Sequence, residues 1–264
     1  MASVKDVAIV LRRLDYSETS QVLAMLTREH GQQRLIAKGI KRSTKTRTAV
    51  GIDLLELGNL VYTRRPGRED TLGTLIEWRQ RENFAHLRRD LVRLYAAQYA
   101  AEVSSHLTEI HDPHPALFDA LERLFVRLAT DDAVAELGAF LWRMLKEIGL
   151  QPQLFHCVNC KRSVEREPEL FFSTRLGGAV CRDCESAAVE KRRIDPAILG
   201  CLAEYAGHRL DSAPAFDRRT DKHARAVFDV LDYHLTETIG RRLRLTGPLC
   251  DALSIGLGRD MKKS

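Results

Sequence analysis

Along the first eighty residues, apolar positions occur in short runs that are separated by polar or glycine-containing turns. Five runs are rich in Val, Ile, Leu, Thr and Tyr, the residues that favour strands. They cover residues 6–11, 21–27, 34–37, 54–63 and 71–78. Residues 65–70 (Arg-Pro-Gly-Arg-Glu-Asp) form the clearest turn, because Pro and Gly favour turn dihedrals and the charged residues stay in water. Five short strands in this space predict a small β-barrel.

Beyond the strand region the apolar period changes to three or four residues, which is typical of amphipathic helices. Stripes of this kind span residues 87–107, 117–128 and 134–148, and again 196–209, 217–239 and 243–257. Two prolines within residues 111–115 separate the first two stripes, because proline disfavours helix in the residue before it. Gly149, with Pro152 just beyond it, ends the third helix.

Residues 151–193 interrupt the helical pattern and carry four of the six cysteines. The predicted fold class is therefore α+β, with a five-stranded barrel followed by an α-helical domain that holds a cysteine-bearing insertion. The predicted domains are 1–80 (barrel), 81–150 (helical, first part), 151–193 (the insertion) and 194–264 (helical, second part). We call residues 151–193 the metal module.

The cysteines of the metal module form two CxxC pairs, Cys157 with Cys160 and Cys181 with Cys184. Each CxxC turn places two thiolates on one side of a tight loop, and two such turns supply the four soft donors of a tetrahedral Zn²⁺ site. Residues 170–172 and 177–178 fit a short hairpin beneath the site. Because four protein ligands leave the ion no open position, we expect one structural zinc ion.

Other interpretations of the cysteines are weaker. A thioredoxin-like motif needs only one CxxC, and a zinc deaminase would show His-x-Glu, which is missing here. Residue type does not exclude an iron–sulfur cluster, although the symmetric spacing suits zinc better. We predict that His156 is a neighbour and not a ligand, and that Cys201 and Cys250 are buried thiols in helices.

The net charge of +5 is concentrated in the strand region. Residues 1–80 contain 14 Lys and Arg against 9 Asp and Glu, whereas the remaining chain contains 27 of each class. Residues 34–47 hold no acid and carry six cations: Arg34, Lys38, Lys41, Arg42, Lys45 and Arg47. A solvated loop would explain an isolated charge run, but a run of cations on a small barrel favours a groove that follows a phosphate backbone.

Aromatic residues are sparse in this region. Tyr16, Tyr62 and Trp78 are its only Tyr and Trp residues, it has no Phe, and each of the three is predicted to lie in the core or at the rim. We therefore expect binding dominated by phosphate contacts, with little sequence preference and strong salt sensitivity.

Several functions are disfavoured by missing motifs. The chain has no Gly-Lys dipeptide and so no P-loop, and it lacks HExxH and G-x-S-x-G, so we expect no enzymatic activity. No apolar run approaches the length of a signal-peptide core or a membrane span, which predicts a cytoplasmic protein without membrane contact.

Two blocks of sequence stand out as motifs. The first comprises residues 16–20 (Tyr-Ser-Glu-Thr-Ser), 27–31 (Thr-Arg-Glu-His-Gly), 37–39 (Ala-Lys-Gly) with Lys41 and Arg42, and 72–77 (Leu-Gly-Thr-Leu-Ile-Glu). The second comprises Phe140, Leu145, Gly149, Pro152, Leu154 and Cys157. Together they resemble, in order along the chain, the RecO family of bacterial recombination mediators and DNA repair proteins.

This resemblance implies an N-terminal OB-fold, a helical domain and a four-cysteine zinc module. It also implies binding to single- and double-stranded DNA, annealing of complementary strands, and a location at the nucleoid. The implied partners are RecR and the acidic C-terminal tail of single-stranded DNA-binding protein (SSB), which together help to load RecA onto coated single strands. Two alternatives remain: a zinc-containing transcription or RNA-binding factor, and a zinc-dependent hydrolase, which the closed four-cysteine site disfavours.

Overall fold

The computed structural model describes residues 3–42, 51–64, 72–196, 198–199, 202, 205 and 221–260. Its first five strands are β1 (Ser3–Asp15), β2 (Gln21–Thr27), β3 (Gly31–Ala37), β4 (Leu57–Thr63) and β5 (Gly73–Glu82). They form a closed barrel in the order β1-β2-β3-β5-β4. The parallel pair β3–β5 closes it, and the other neighbours are antiparallel. The predicted five-stranded barrel is confirmed.

The barrel is held by an apolar interior to which every strand contributes. Alternate residues point inward, since successive side chains of a strand lie on opposite faces. The best-buried members include Leu23, Met25, Leu35, Leu60 and Tyr62, each at most 1% exposed. This interior fixes the register of the strands, because a slip by one residue would turn these side chains into water.

Strand β1 extends further than its apolar run predicts. The run stops at Arg12, but a β-bulge between Val10 and Arg12 leaves Leu11 as an extra residue and lets the strand continue to Asp15. In contrast, β4 begins three residues later than predicted. Leu55 has a left-handed backbone (φ 67°), and residues 54–56 instead form a loop whose backbone bonds to Val10.

The helices are α1 (Leu91–Leu107), α2 (Pro115–Arg127), α3 (Ala133–Glu147), α4 (Asp221–Ile239) and α5 (Thr246–Asp260). The prediction of one continuous helix from residue 87 is wrong, because Leu87 lies in a separate 3₁₀ helix, Ala85–Arg89. Asp90 is extended between the two elements, and its carboxylate accepts the backbone N–H of Arg93 at 2.9 Å. This N-cap starts α1 at Leu91. Gly149 (φ 73°) follows the end of α3, as expected.

The chain divides into two compact units, Met1–Ala129 with Gly247–Ser264, and Thr130–Thr246. In the first unit, the loop between α1 and α2 lies against the start of β3. The N–H of His111 donates to the carbonyl of Gln32 at 3.1 Å. Gly31 (φ 67°) accepts this contact because it lacks a side chain: a Cβ there would lie 2.2 Å from the carbonyl oxygen of Asp112.

The second unit contains α3, α4 and the metal module. The module holds a three-stranded sheet in the order β7-β6-β8, made of β6 (Leu170–Ser173), β7 (Gly178–Cys181) and β8 (Arg192–Ile194). The antiparallel pair β6–β7 is the predicted hairpin. The four-part domain division stays a prediction. Among the helices in the described part of the chain, none has the length and apolar character that a membrane crossing requires.

Candidate nucleic-acid interface and candidate metal centre

The outer face of the barrel presents two parallel rows of side chains. Directly paired residues of neighbouring strands share a face, so the register of β1, β2 and β3 defines the rows. The cationic row consists of Arg12, Ala24 and Arg34. The apolar row consists of Leu14, Val22, Ile36 and Thr74. The two rows are adjacent, because their members lie two residues apart along each strand.

Tyr16 and Ile76 lie beyond the apolar row, on the side away from the cationic row. The backbone N–H of Tyr16 donates to the carbonyl of Ser20 at 3.0 Å, directly beyond the Asp15–Gln21 pair that ends the β1–β2 ladder. Ile76 lies two residues beyond Thr74 on β5, at the irregularity in the β4–β5 register, and is 61% exposed. Tyr16 is 67% exposed and directly follows the end of β1, which is a rim position, whereas Tyr62 is fully buried in the core.

The predicted phosphate-binding residues differ in their side-chain contacts. Arg34, Lys38 and Arg42 are exposed, and none has a side-chain partner among the described residues. Lys41 is engaged, since its ammonium lies 2.6 Å from the Asp15 carboxylate. This hydrogen bond holds the pKa of Asp15 below its usual value. Lys45 and Arg47 lie outside the described residues.

Arg12 is a candidate site residue that the sequence reasoning missed. Its neighbour Arg13 donates to Asp53 at 2.8 Å, but Arg12 has no side-chain partner within the described ranges. Arg12 and Arg13 follow the apolar run of β1, directly after the bulge at Leu11. Successive side chains of a strand lie on opposite faces, so Arg12 and Arg13 do not share a face. Strict alternation from Leu14 back to Arg12 is the signal that could have found the cationic row.

The four cysteines of the metal module converge on one point. Their sulfur atoms all lie within 4.8 Å of one another, and Cys160 and Cys181 are 3.8 Å apart. That separation is too long for a disulfide, but it matches the edge of a tetrahedron with metal–sulfur bonds of about 2.3 Å. The cluster can therefore hold one metal ion. His156 is not part of this group.

Local backbone geometry positions each pair of cysteines. In the first pair, the N–H of Lys161 returns to the carbonyl of Cys157 at 2.9 Å, and Lys161 adopts a left-handed conformation (φ 63°). This closes a tight turn around residues 157–160. In the second pair, Cys181 ends β7, and Cys184 follows on a short 3₁₀ helix, Arg182–Ala187.

Two thiols of the cluster have opposing pKa shifts. Burial disfavours the thiolate of Cys157, but backbone N–H groups, including that of Cys181, outweigh burial and lower its pKa to about 6. The Asn159 side chain favours the thiolate of Cys184, but burial and the neighbouring sulfurs raise its pKa to about 11. Four thiolates therefore repel one another in this space, and a divalent cation removes the conflict. The donor set fits a soft metal such as zinc.

Arg162 braces the cysteine cluster from outside. Its guanidinium donates to the Asp183 carboxylate at 2.6 Å and to the Cys181 sulfur at 3.6 Å. These two bonds, together with the charge of Asp183, raise the pKa of the already basic Arg162. Outer-shell donors of this kind orient a metal ligand and offset part of its negative charge.

Hydrogen bonds join the metal module to helix α4 of the same unit. His234 on α4 is 5% exposed, and its ring nitrogens lie 3.2 Å from the Thr174 hydroxyl and 3.0 Å from the Leu150 carbonyl. Next to it, the Tyr233 hydroxyl donates to Glu190, which also accepts from Ser173 at 2.9 Å. Burial lowers the pKa of His234, so the ring is held neutral.

Much of the module's positive charge is paired within the module. Arg182 and Arg193 both contact Glu169 at 2.9 Å, and Lys191 lies 3.2 Å from Glu185. Two exposed arginines, Arg166 and Arg175, have no side-chain partner among the described residues. Cys250, which is predicted to be buried, is only partly buried in α5, and Cys201 falls outside the described part of the chain.

Two family models match the chain, and each of them covers one of the two candidate sites. The family model for the recombination protein O N terminus matches residues 1–84. The model for the recombination protein O C terminus matches residues 88–246, which is more than half of the chain. The chain belongs to the RecO family. The first match covers the barrel strands, and the second covers all four cysteines of the metal module.

Relatives in the RecO family align with the chain over most of their length. The DNA repair protein RecO of Bacillus pumilus is 30% identical over 243 residues, which cover 91% of each chain. The DNA repair protein RecO of Myxococcus xanthus is 31% identical over 246 residues, covering 92% of this chain and 96% of the relative. That of Rhodopirellula baltica is 33% identical over 216 residues, covering 81% and 79%.

Proposed function

We propose that the chain is a non-enzymatic, DNA-binding mediator of recombinational repair. The observation that carries the proposal is the outer barrel face, which presents Arg12, Arg34 and Lys38 without side-chain partners among the described residues. Unpaired cations neutralise phosphates and release counterions when they meet a nucleic acid. Family membership adds support, because the relatives are named DNA repair protein RecO.

In this proposal the face binds both single- and double-stranded DNA and anneals complementary strands. Two such strands repel each other through their phosphates. Arg34, Lys38 and Arg42 reduce that repulsion when they contact the backbone of one strand, so the second strand can approach and pair. No covalent step occurs, and no residue is assigned a catalytic role. Lys41 contributes less, because Asp15 already neutralises it.

The partners in this proposal are RecR and the acidic C-terminal tail of SSB, and the protein acts with them in the cytoplasm at the nucleoid to load RecA onto coated single strands. The resemblance to the family supports these partners. In the metal module, Cys157, Cys160, Cys181 and Cys184 hold one zinc ion. With four protein ligands the ion has no open position, so it would serve to fold the module.

Charge reversal at two places tests the proposal. The variant Arg34→Glu/Lys38→Glu changes the outer barrel face, and Arg166→Glu/Arg175→Glu changes the metal module by the same net charge. All four residues are exposed and lack side-chain partners among the described residues. Binding to a mixed-sequence oligonucleotide and strand annealing are measured across a salt series, with DNA and with RNA of the same sequence.

We expect the barrel variant to lose roughly tenfold or more in affinity at low salt and to slow annealing. Its log–log salt slope for a single strand should be shallower by about 1.4, since each lost phosphate contact removes about 0.7. The module variant should retain affinity and slope. Equal losses in both variants, or no loss in the barrel variant, would contradict the proposal. A clear preference for RNA would favour an RNA-binding factor instead.

A further inference from the structure

Phosphate binding does not explain the apolar row on the outer face of the barrel. The row crosses four neighbouring strands through Leu14, Val22, Ile36 and Thr74. Strands lie about 4.8 Å apart, so the row is about 14 Å long. Leu14, Tyr16 and Ile76 are 65%, 67% and 61% exposed. Tyr16 follows Leu14 by two residues at one end of the row, and Ile76 follows Thr74 by two residues at the other end. We call the row with these two residues the strip.

Such a strip is unusual on the water-facing side of a small barrel. Single exposed apolar residues are ordinary, but a contiguous apolar patch with a polar rim marks an interaction site. The barrel does not need the strip for its own stability, because residues such as Leu23, Leu35 and Leu60 fill the interior. The strip therefore has to be explained by what it contacts.

The charges beside the strip identify the kind of ligand. Arg12 and Arg34 lie on one side of it in the cationic row, and Lys38 lies beyond its other side, two residues after Ile36. A ligand that fits must therefore carry anionic groups beside apolar, flat surfaces. A single nucleic-acid strand has this composition, because its phosphates alternate with bases whose faces are free to stack. In a duplex the base faces are covered by their neighbours, and only phosphates and base edges are offered.

We propose that the apolar row, with Tyr16 and Ile76, binds the faces of unpaired bases and so makes the barrel bind single strands more tightly than duplex. The inference rests on the proposed function, namely that the outer barrel face binds DNA. Arg12, Arg34 and Lys38 hold phosphates of either ligand, whereas the strip gains contacts from a single strand alone. Sequence preference stays low, because every base has a face that can stack.

The test compares two ligands and two matched variants. Tyr16→Ala and Leu14→Ser/Ile76→Ser remove the strip, and because these side chains are exposed the variants should fold normally. The control Leu176→Ser/Val189→Ser removes exposed apolar side chains from the metal module, where they are 43% and 95% exposed. Affinity is measured for a mixed-sequence single strand and for the blunt duplex of the same length.

We expect each strip variant to bind the single strand about tenfold more weakly and the duplex almost unchanged, so that the ratio of the two affinities falls about tenfold. Tyr16→Phe should restore single-strand binding, because it keeps the ring. A strand carrying 2-aminopurine should change its fluorescence on binding the unmodified protein and change it less on binding Tyr16→Ala.

Two outcomes would overturn the inference: equal losses for single strand and duplex, or no loss for either. The charge variant Arg34→Glu/Lys38→Glu separates this failure from failure of the proposed function. If that variant weakens binding to both ligands while the strip variants bind normally, only the role of the strip is wrong. If the charge variant also binds normally, the proposed function itself is wrong.

Discussion

The outer barrel face and the metal module both carry exposed cations, but they use them differently. On the barrel, Arg12, Arg34 and Lys38 have no side-chain partners among the described residues. In the module, Arg182, Lys191 and Arg193 are each bound to a carboxylate of the same module. A cation that is already paired gains little from a phosphate, since it must first give up its partner. Pairing therefore sets these three cations apart from those of the barrel, although Arg166 and Arg175 of the module also lack side-chain partners among the described residues.

The two regions also differ in what stabilises them. The barrel buries a continuous apolar interior from all five strands. The module has short strands of three or four residues, and its two CxxC turns meet at a cluster of two buried cysteines, one half-buried and one exposed. Apolar burial accounts for the first region, whereas metal binding is expected to account for much of the second.

The largest effect is expected when the metal site is broken. Cys181→Ser removes a buried ligand and should unfold the module, because structural zinc contributes on the order of 10 kcal/mol in small zinc-dependent domains. Hydrogen exchange should show lost protection in β6 and β7 and unchanged protection in the barrel strands. Cys250→Ser, a cysteine outside the cluster, should leave both regions intact. Full metal content in Cys181→Ser would refute the assignment.

A core substitution should produce the reverse pattern. Leu60 is 1% exposed inside the barrel, and Leu60→Ala should lower the free energy of unfolding by about 2–5 kcal/mol. Denaturant unfolding followed by barrel-specific hydrogen exchange measures this loss, while bound metal per chain should stay unchanged. Leu72→Ala is the control, because Leu72 is 45% exposed and its removal should change stability by less than about 0.5 kcal/mol. Metal loss in Leu60→Ala would show that the regions are not independent.

A smaller effect is expected at Arg162, which donates to Cys181 and Asp183. Arg162→Leu should accelerate metal release to a chelator roughly tenfold, because the ligand loses an outer-shell donor. Arg166→Leu removes an exposed arginine of the same module that has no side-chain partner among the described residues, and it should not change the release rate. Identical release from both variants would mean that Arg162 contributes only to the surface.

The smallest effect concerns the pH dependence of the second unit. Burial lowers the pKa of His234 below 6.5, so at mildly acidic pH the unfolded chain binds more protons than the folded one. Stability should therefore fall as the pH drops from 6.5 towards 5, with a slope of at most about 1.4 kcal/mol per pH unit. Glu190 faces the same region, but its pKa lies below 4.5, so its contribution is lost only at lower pH.

The variant His234→Gln isolates this contribution, because glutamine can still donate to the Leu150 carbonyl but does not titrate. Unfolding of the second unit is measured at fixed metal concentration from pH 7 to pH 5. The stability difference between the unmodified protein and the variant should shrink as the pH falls. Parallel curves for the two proteins would show that His234 does not cause the dependence.

Much of the fold could be predicted because its signals are local. Strand β2 has the predicted bounds, and the CxxC spacing alone identified the four clustered cysteines. The break at Asp90 was missed because the apolar stripe continues through it. There, a side-chain cap to Arg93 decides the local conformation against the periodicity.

The site was harder to predict because its properties depend on pairing between strands. Lys41 and Lys38 look alike in the sequence, and only the approach of the β1–β2 turn places Asp15 beside Lys41. In the same way, Arg12 and Tyr16 join the outer barrel face through the bulge in β1 and the register with β2. The contact between Lys41 and Asp15 has no sequence signature, because it depends on how the strands pair, whereas the alternation of Arg12 with Leu14 is visible in the sequence.

The short parallel pairing of β3 with β5, which we call the seam, indicates the order in which the strands of the barrel assemble. Two tight turns connect β1, β2 and β3, whereas the seam joins Leu35 and Ile36 to Gly73 and Thr74, far along the chain. Contacts between distant residues form late, because closing a long loop is entropically unfavourable. A chain still under synthesis can thus align Leu14, Val22 and Ile36 before Thr74 has been made. The last strand to dock completes the strip, so an immature chain lacks the full surface.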